Sequence, residues 1–384
     1  MSPSRVAIVR CERYDESEVY EALGRALELL GGVGRFVSAG EHIVLKPNVL
    51  VASAPDACVT THPTVFAAVA RHLQAAGARL SYGDSPGFGN PETSARKAGL
   101  DEPADRLSIP FADFSAGHEV AFPDGVLVKR FTIANGVLDA DGLVSLPKFK
   151  THGLARLTGA IKNQFGCVPG MLKAEFHARM TDIDRFSQML VDLDRCIMPR
   201  FYVMDAVVAM EGNGPRSGTP RPMSVLVASD DPVALDATQA RLMNLDPRLV
   251  GTIVHGERAG RGSIDGIEYL GDPIEQFIVE DYEVNRSTGS TTGGVGWKSR
   301  MARNLVVPRP VIVSERCTAC GTCVKVCPVE PKAVDWATPG RARDGRPPVH
   351  DYALCIRCYC CQELCPERAI EIETPFLGKV IHRG

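Results

Sequence analysis

Cys317-Thr-Ala-Cys320-Gly-Thr-Cys323-Val-Lys-Val-Cys327-Pro328 is followed by Cys355-Ile-Arg-Cys358-Tyr-Cys-Cys361-Gln-Glu-Leu-Cys365-Pro366, and both runs read C-x2-C-x2-C-x3-C-P. Three thiolates at i, i+3 and i+6 wrap a cubane iron–sulfur cluster in a tight loop, while the fourth, beside proline, reaches the other cluster. By that crossed rule Cys317, Cys320, Cys323 and Cys365 hold one 4Fe–4S cluster. Cys355, Cys358, Cys361 and Cys327 hold the second. A disulfide framework needs an oxidising compartment and usually a small secreted chain. A zinc site uses about four ligands and does not require the doubled triple spacing. Cys360 lies inside the second run but out of register. It reads as a bystander thiol near the cluster, with substitution for a ligand as the alternative.

Outward from these runs, the 384-residue chain leaves room before Cys317 for one large or two ordinary domains with real cores. A hydrophobic content of 45% and a charged content of 23% are those of a soluble globular protein. A net charge of −3 predicts no bulk attraction to nucleic acid or to an anionic membrane. No apolar stretch approaches the ~18 residues that span a bilayer. Arg10 interrupts the apolar run Val6–Val9, which is too short for a secretory signal and reads as a first strand. Cluster chemistry without an export signal predicts a cytoplasmic, low-oxygen setting. Cys11, Cys58, Cys167 and Cys196 are scattered, and their default reading is buried free thiols.

The first half alternates strands and helices. Val6–Val9, His42–Lys46 and Arg79–Gly83 read as strands, separated by helices over Val19–Leu30 and Pro63–Ala76. Gly31-Gly32 stops the first helix; Pro63 opens the second and Gly77 follows it. This β-α-β-α-β order predicts an α/β fold with a parallel-rich sheet covered by helices. Further strands are expected at Gly142–Leu146, Phe201–Asp205 and Ser224–Ala228, with helices over Asp182–Ile197 and from Pro232 to about Asn244. The Gly/Ser/Thr-rich run Asn285–Gly296 reads as a linker, with a mobile loop over a site as the alternative. It is not a nucleotide P-loop, because Trp297 separates Lys298 from Gly296 and no strand clearly precedes it. The expected division is an α/β domain over 1–282, a linker or loop over 283–311 and a small α+β cluster domain over 312–384. The polar stretch Thr338–Pro348 between the cysteine runs should be a surface insertion.

Polar residues gather at the ends of these strands, where open α/β sheets bind ligands. They include Lys46-Pro47-Asn48, Asp84-Ser85-Pro-Gly87, Pro147-Lys148-Phe-Lys150-Thr-His152, Lys162-Asn163, Asp205 and Met210-Glu211-Gly-Asn-Gly-Pro215. With Gly83, Ala160-Ile161 and Asp231-Pro-Val-Ala-Leu-Asp236, these segments resemble the domain of unknown function 362 family over roughly residues 6–255. Residues 312–370 resemble a bacterial two-cluster ferredoxin, a module often fused to that family. The resemblance implies an architecture and no reaction.

Residue chemistry narrows the reaction. Lys46, Lys148, Lys150, Lys162 and His152 form a cationic bowl if the strand ends converge, and such a bowl binds carboxylates or phosphates. Asn48, Ser85 and Asn163 would orient the ligand. Asp84, Asp205 and Glu211 would pair with the lysines, coordinate a divalent ion or serve in acid–base work. The plain alternative is that each caps a helix or pairs at the surface. His62 before Pro63 reads as a helix-entry residue, and His118, His177 and His255 have no partner pattern. The expected function is an iron–sulfur oxidoreductase, fed by a redox partner protein, that passes low-potential electrons to a small anionic substrate or second cofactor. In that reading Lys148, Lys150, His152, Lys162, Asp205 and Glu211 are catalytic, while Lys46, Asn48, Asp84, Ser85 and Asn163 bind substrate. The alternative is an electron carrier or docking protein without its own chemistry; a weaker third is a non-redox enzyme with structural clusters. A flavin or a divalent metal is compatible with the chain, but no motif indicates either.

Overall fold

The computed structural model describes residues 3–170, 172–287, 304–337 and 345–377. Lys298 with most of the Gly/Ser/Thr-rich run, and residues 338–344 of the insertion, lie outside the described residues.

Arg5–Arg10 (β1) leads into Glu16–Leu29 (α1), whose N-cap Asp15 accepts from the backbone N–H groups of Ser17 and Glu18. Helix α1 ends as expected: Gly31 and Gly32 take positive φ, and Gly32 N donates to Leu27 O at 2.8 Å. His42–Pro47 (β2), Pro63–Ala75 (α2) and Arg79–Tyr82 (β3) complete the first alternation, and β2 pairs parallel with β3. Short helices Pro91–Lys97 (α3), Asp101–Arg106 (α4) and Asn135–Leu138 (α5) and a hairpin of Gly117–Ala121 (β4) with Arg130–Ala134 (β5) lie outside that pattern. Gly142–Leu146 (β6), Lys148–His152 (β7), Arg156–Leu157 (β8), Phe201–Glu211 (β9), Thr219–Ser229 (β10) and Glu268–Gly271 (β11) supply the other strands.

Together these make a nine-stranded mixed sheet in the order β11-β1-β10-β9-β6-β2-β3, with β7 added to β9 and β8 to β7. Pairing is parallel at β11/β1, β9/β6, β6/β2, β2/β3 and β7/β9, and antiparallel at β1/β10, β10/β9 and β7/β8. The sheet is buried on both faces. Val6 and Ile8 join one apolar cluster and Ala7 and Val9 the other; Tyr202 and Met204 face away from Phe201 and Val203. One face carries α1 and α2. The other carries Ile183–Ile197 (α8) and Pro232–Leu242 (α9). The chain thus has the α/β fold expected of it, with helices on both sides of a mostly parallel sheet.

One expectation needs correction. Residues 148–152 do not form a loop at a strand end; they are strand β7, buried along its whole length. It continues the line of β6 past Pro147, whose carbonyl accepts from Asp205 N at 2.9 Å, and pairs with β9 at Lys148–Asp205 and Lys150–Met210. Lysines alternating with Phe149 signal exposure in a sequence. Here acceptors within the fold take both ammonium groups.

In the cysteine-rich part Arg309–Ile312 (β12) pairs antiparallel with Ile370–Glu373 (β15) and brings its two ends together. Val334–Asp335 (β13) and Val349–His350 (β14) form a second small ribbon. Short helices Thr322–Val326 and Cys360–Glu363 begin inside the two cysteine runs. Among the described residues, no helix is long and apolar enough to cross a membrane.

Candidate functional site

The two cysteine runs fold alike. Each turns through positive-φ residues two and four places after its first cysteine: Ala319 and Gly321 in one, Arg357 and Tyr359 in the other. One cavity is lined by Cys317, Cys320, Cys323 and Cys365; another by Cys327, Cys355, Cys358 and Cys361. Each set therefore takes three thiols from one run and the proline-linked thiol from the other. Among the described residues no group of three side chains is arranged to hold a single ion. The thiols line chambers instead, which suits a multi-iron cube. Apolar side chains such as Ile312, Val334 and Ile370 close these chambers, and Ala369 N donates to Cys365 Sγ at 3.3 Å. Exclusion of water and N–H donation to sulfur are the protein's means of tuning a cluster. Cys320 is exposed; Cys323, Cys327, Cys361 and Cys365 are buried.

A further cavity of about 90 Å³ lies where the α/β sheet meets the second cysteine run. Asn48, Asp84, Ser85, Lys162 and Asn163 line one side, and Cys360, Glu363 and Leu364 the other. Beneath the first side Lys46 Nζ meets Asp84 Oδ1 at 2.8 Å with both groups buried, and Asp84 Oδ2 accepts from Val49 N at 2.6 Å. Burial raises the Asp84 pKa against the pull of Lys46. Only glycine fits at 166: a Cβ there would stand 1.8 Å from Asp84 Oδ1 and 2.8 Å from Lys46 Nζ. Asn163 donates to Ser145 Oγ at 2.9 Å, so its Oδ1 is left to accept from Asn48 Nδ2 at 3.1 Å and Lys46 Nζ at 3.4 Å.

Gly159–Asn163 (α6) places Lys162 and Asn163 at the cavity, and buried Asp236 holds its first turn by accepting from Ala160 N and, at 3.2 Å, Ile161 N. Burial pushes the Asp236 carboxyl up to about 8 despite those bonds. Lys162 has no hydrogen-bond or ion-pair partner among the described residues, and burial lowers its pKa while Glu363 raises it. Leu172–Arg179 (α7) adds two residues. Lys173 Nζ donates to Val168 O at 2.7 Å, Ser85 Oγ at 2.8 Å and Ser85 O at 3.1 Å, and burial lowers its pKa to about 7. His177 stacks on Phe186 with ring centres 4.6 Å apart, and burial lowers its pKa to about 4.

Side chains bridge the sheet and the second cysteine run. His152 Nδ1 accepts from Leu154 N at 3.0 Å and Ala155 N at 3.2 Å, so its proton sits on Nε2, 3.0 Å from Glu363 Oε1. Burial lowers the His152 pKa, while His152 and Lys162 outweigh the burial of Glu363 and hold its carboxyl at about 2. Gln362 Nε2 donates to Asn213 Oδ1 at 2.9 Å, and Arg216 Nη1 to Leu364 O at 2.9 Å.

The single bowl expected from the lysines is not what the fold builds. Lys46 and Lys162 reach the junction with Asn48, Asp84, Ser85 and Asn163. Lys148 instead donates to Asp205 Oδ2 at 2.9 Å and Tyr14 OH at 2.7 Å, in a buried group where Tyr14 stacks on His62 at 3.6 Å. Lys150 donates to Val59 O at 2.7 Å, and burial lowers its pKa well below the usual range. Glu211 accepts from Glu283 N at 3.0 Å and pairs with Arg221 at 3.4 Å. His152 touches the junction only through Glu363. Lys173 and Glu363 escaped the sequence reading and His177 was given no role in it, because helix α7 has no motif and Glu363 lies inside a run read for its cysteines. The out-of-register Cys360 was the one signal pointing here.

The model of the domain of unknown function 362 matches residues 43–241, and a 4Fe-4S binding domain matches 308–329. A thylakoid-associated protein of Synechocystis sp. is 37% identical over 256 residues, covering 66% of this chain and 79% of its own length. Among solved structures, the lactate racemase apoprotein of Thermoanaerobacterium thermosaccharolyticum aligns with 61% of this chain and 56% of its own at 12% identity, with a TM-score of 0.40. The chain belongs to the domain of unknown function 362 family and carries a C-terminal ferredoxin-type 4Fe–4S domain, which makes it an iron–sulfur protein.

Proposed function

We propose that this chain is a two-cluster iron–sulfur oxidoreductase, working in a cytoplasmic, low-oxygen setting, in which electrons from a redox partner reach a small anion held at the junction cavity. Its parts would be an α/β domain over 1–282, a linker over 283–311 and a cluster domain over 312–384. The observation that carries this reading is the shared wall: Cys360, flanked by second-set thiols Cys358 and Cys361, lines the same cavity as Lys162 and Asn163. A path from the first set, whose Cys320 is exposed, through the second set to the cavity gives the two clusters distinct duties. Each 4Fe–4S cube carries one electron at a time, so two of them supply a pair. Crossed thiol sets lining two separate chambers support the count of two.

The residues with work at the anion are Lys162 as its counter-charge and Asn48 and Asn163 as orienting groups, with Lys46, Asp84 and Ser85 holding the wall. Lys148, Lys150, Asp205 and Glu211 support the sheet that carries them, and His152 orients Glu363. The test is anaerobic reduction with a low-potential reductant, followed by addition of candidate anionic metabolites and observation of the cluster absorbance. Reoxidation by one of them, abolished in Lys162→Ala with the cluster spectrum intact, is expected. Clusters that reduce but never discharge into any ligand would leave the carrier reading in place.

A further inference from the structure

Lysines outnumber carboxylates around the junction cavity. Among the described residues Lys46, Lys162 and Lys173 stand against Asp84 and Glu363, and burial holds Lys173 at about 7, so at most one positive charge is in surplus. Lys46 is bonded to Asp84, and three oxygens take the protons of Lys173. Lys162 alone keeps its ammonium without an oxygen partner among the described residues. A monoanion neutralises that surplus. A dianion such as hydrogen phosphate or sulfate leaves a buried charge uncompensated, which low-dielectric surroundings penalise heavily.

Much of the remaining wall is hydrocarbon. Val49, Leu50, Phe165, Val326 and Leu364 line it, with Ala174 at the side of α7. An inorganic oxyanion leaves such surface facing water; an aliphatic chain covers it. The volume of about 90 Å³ limits that chain to a few carbons. We propose that the junction cavity is a carboxylate site, in which Lys162 takes the head of a short-chain monocarboxylate and Val49, Leu50, Phe165 and Leu364 cover its body. This rests on the anion-site reading above and names the ligand class.

The test is calorimetric titration of the full chain, with its clusters reconstituted anaerobically, using acetate, propionate, butyrate, hexanoate, phosphate and sulfate. Saturated acids have no group that the clusters can reduce, so binding is read independently of electron transfer. Affinity should rise about three- to fourfold per methylene from acetate to butyrate, as expected for buried CH₂ groups, and fall once the chain outgrows the cavity. Lys162→Met should weaken butyrate at least about tenfold while keeping the cluster absorbance. Ala174→Leu, at a half-buried position in the wall, should weaken butyrate more than acetate and decides the matter if the lysine variant does not fold.

Phosphate or sulfate binding tighter than butyrate, an affinity indifferent to chain length, no binding of any acid, or an Ala174→Leu chain that treats butyrate and acetate alike would each overturn the carboxylate assignment. Carboxylates that bind by these rules, while no anion of any kind reoxidises the clusters, would overturn the electron-terminus reading and leave this one standing. Reoxidation by an inorganic oxyanion alone would do the reverse.

Discussion

At the scale of single residues, the site is a set of buried charges, each held by particular neighbours. The Lys46–Asp84 pair carries two fully buried ions at 2.8 Å. Removing either partner strands the other in a low-dielectric interior, so Lys46→Met or Asp84→Asn should cost about 3–5 kcal/mol in chemical denaturation. His177 gives a pH signature. Its folded pKa, about 4, lies below the ordinary 6.5, so its contribution is full above about pH 6.5 and is lost as pH falls toward 4. His177→Gln should be less sensitive than the parent chain across that window, and denaturation midpoints at pH 7 and 5 measure the difference. A variant with the parent's full acid sensitivity would assign the slope to other buried histidines.

At the scale of elements, α6 and β7 show how the fold makes room for chemistry. Helix α6 is barely more than one turn, too short to hold itself. Asp236, on α9, ties down its first turn and thereby sets where Lys162 and Asn163 stand. Its carboxyl is pushed up to about 8, above the unfolded value of 3.8, so its own contribution to stability is full below about 3.8 and is lost as pH rises through 8. Asp236→Asn should flatten that decline between pH 5 and 9, since an amide does not ionise; a slope equal to the parent's would count against it. Strand β7 carries the opposite lesson. Its Lys-Phe-Lys alternation reads as a polar strand end, yet Asp205, Tyr14 and Val59 accept both ammonium groups and bury the segment whole.

At the scale of the molecule, the cysteine-rich part is held by the ligands it is built to carry. Four of the eight buried members of its small core are themselves cysteines of the two runs. Iron and sulfide are therefore part of that core, and removing them withdraws most of its cohesion. Chelation under anaerobic conditions should collapse the segment around β12 and β15 while leaving the circular dichroism of the large sheet, which has apolar layers of its own. On the proposal that each crossed set holds one cube, Cys355→Ser should lower iron from about eight to about four per chain. Iron analysis separates that outcome from loss of both. The bridges through Glu363, Gln362 and Arg216 predict a second effect. Emptying the second chamber should loosen the junction cavity, read as lost butyrate binding, whereas emptying the first by Cys317→Ser should weaken it less.

The chain alone determined what is local along it. The candidate cluster ligands follow from spacing over a dozen residues, and the alternating strands and helices from short periodic runs with glycine and proline at their ends. What it left open was which charges meet. Lys46 finds Asp84, Lys148 finds Asp205 and His152 finds Glu363 across long stretches of sequence, and a lysine's composition is the same whether it is solvated or buried against a carboxylate. Tertiary packing decided that, because burying an ion is tolerable only where distant parts of the chain deliver its partner. Among the described residues it left Lys162 at a cavity wall with no hydrogen-bonded or ion-paired partner.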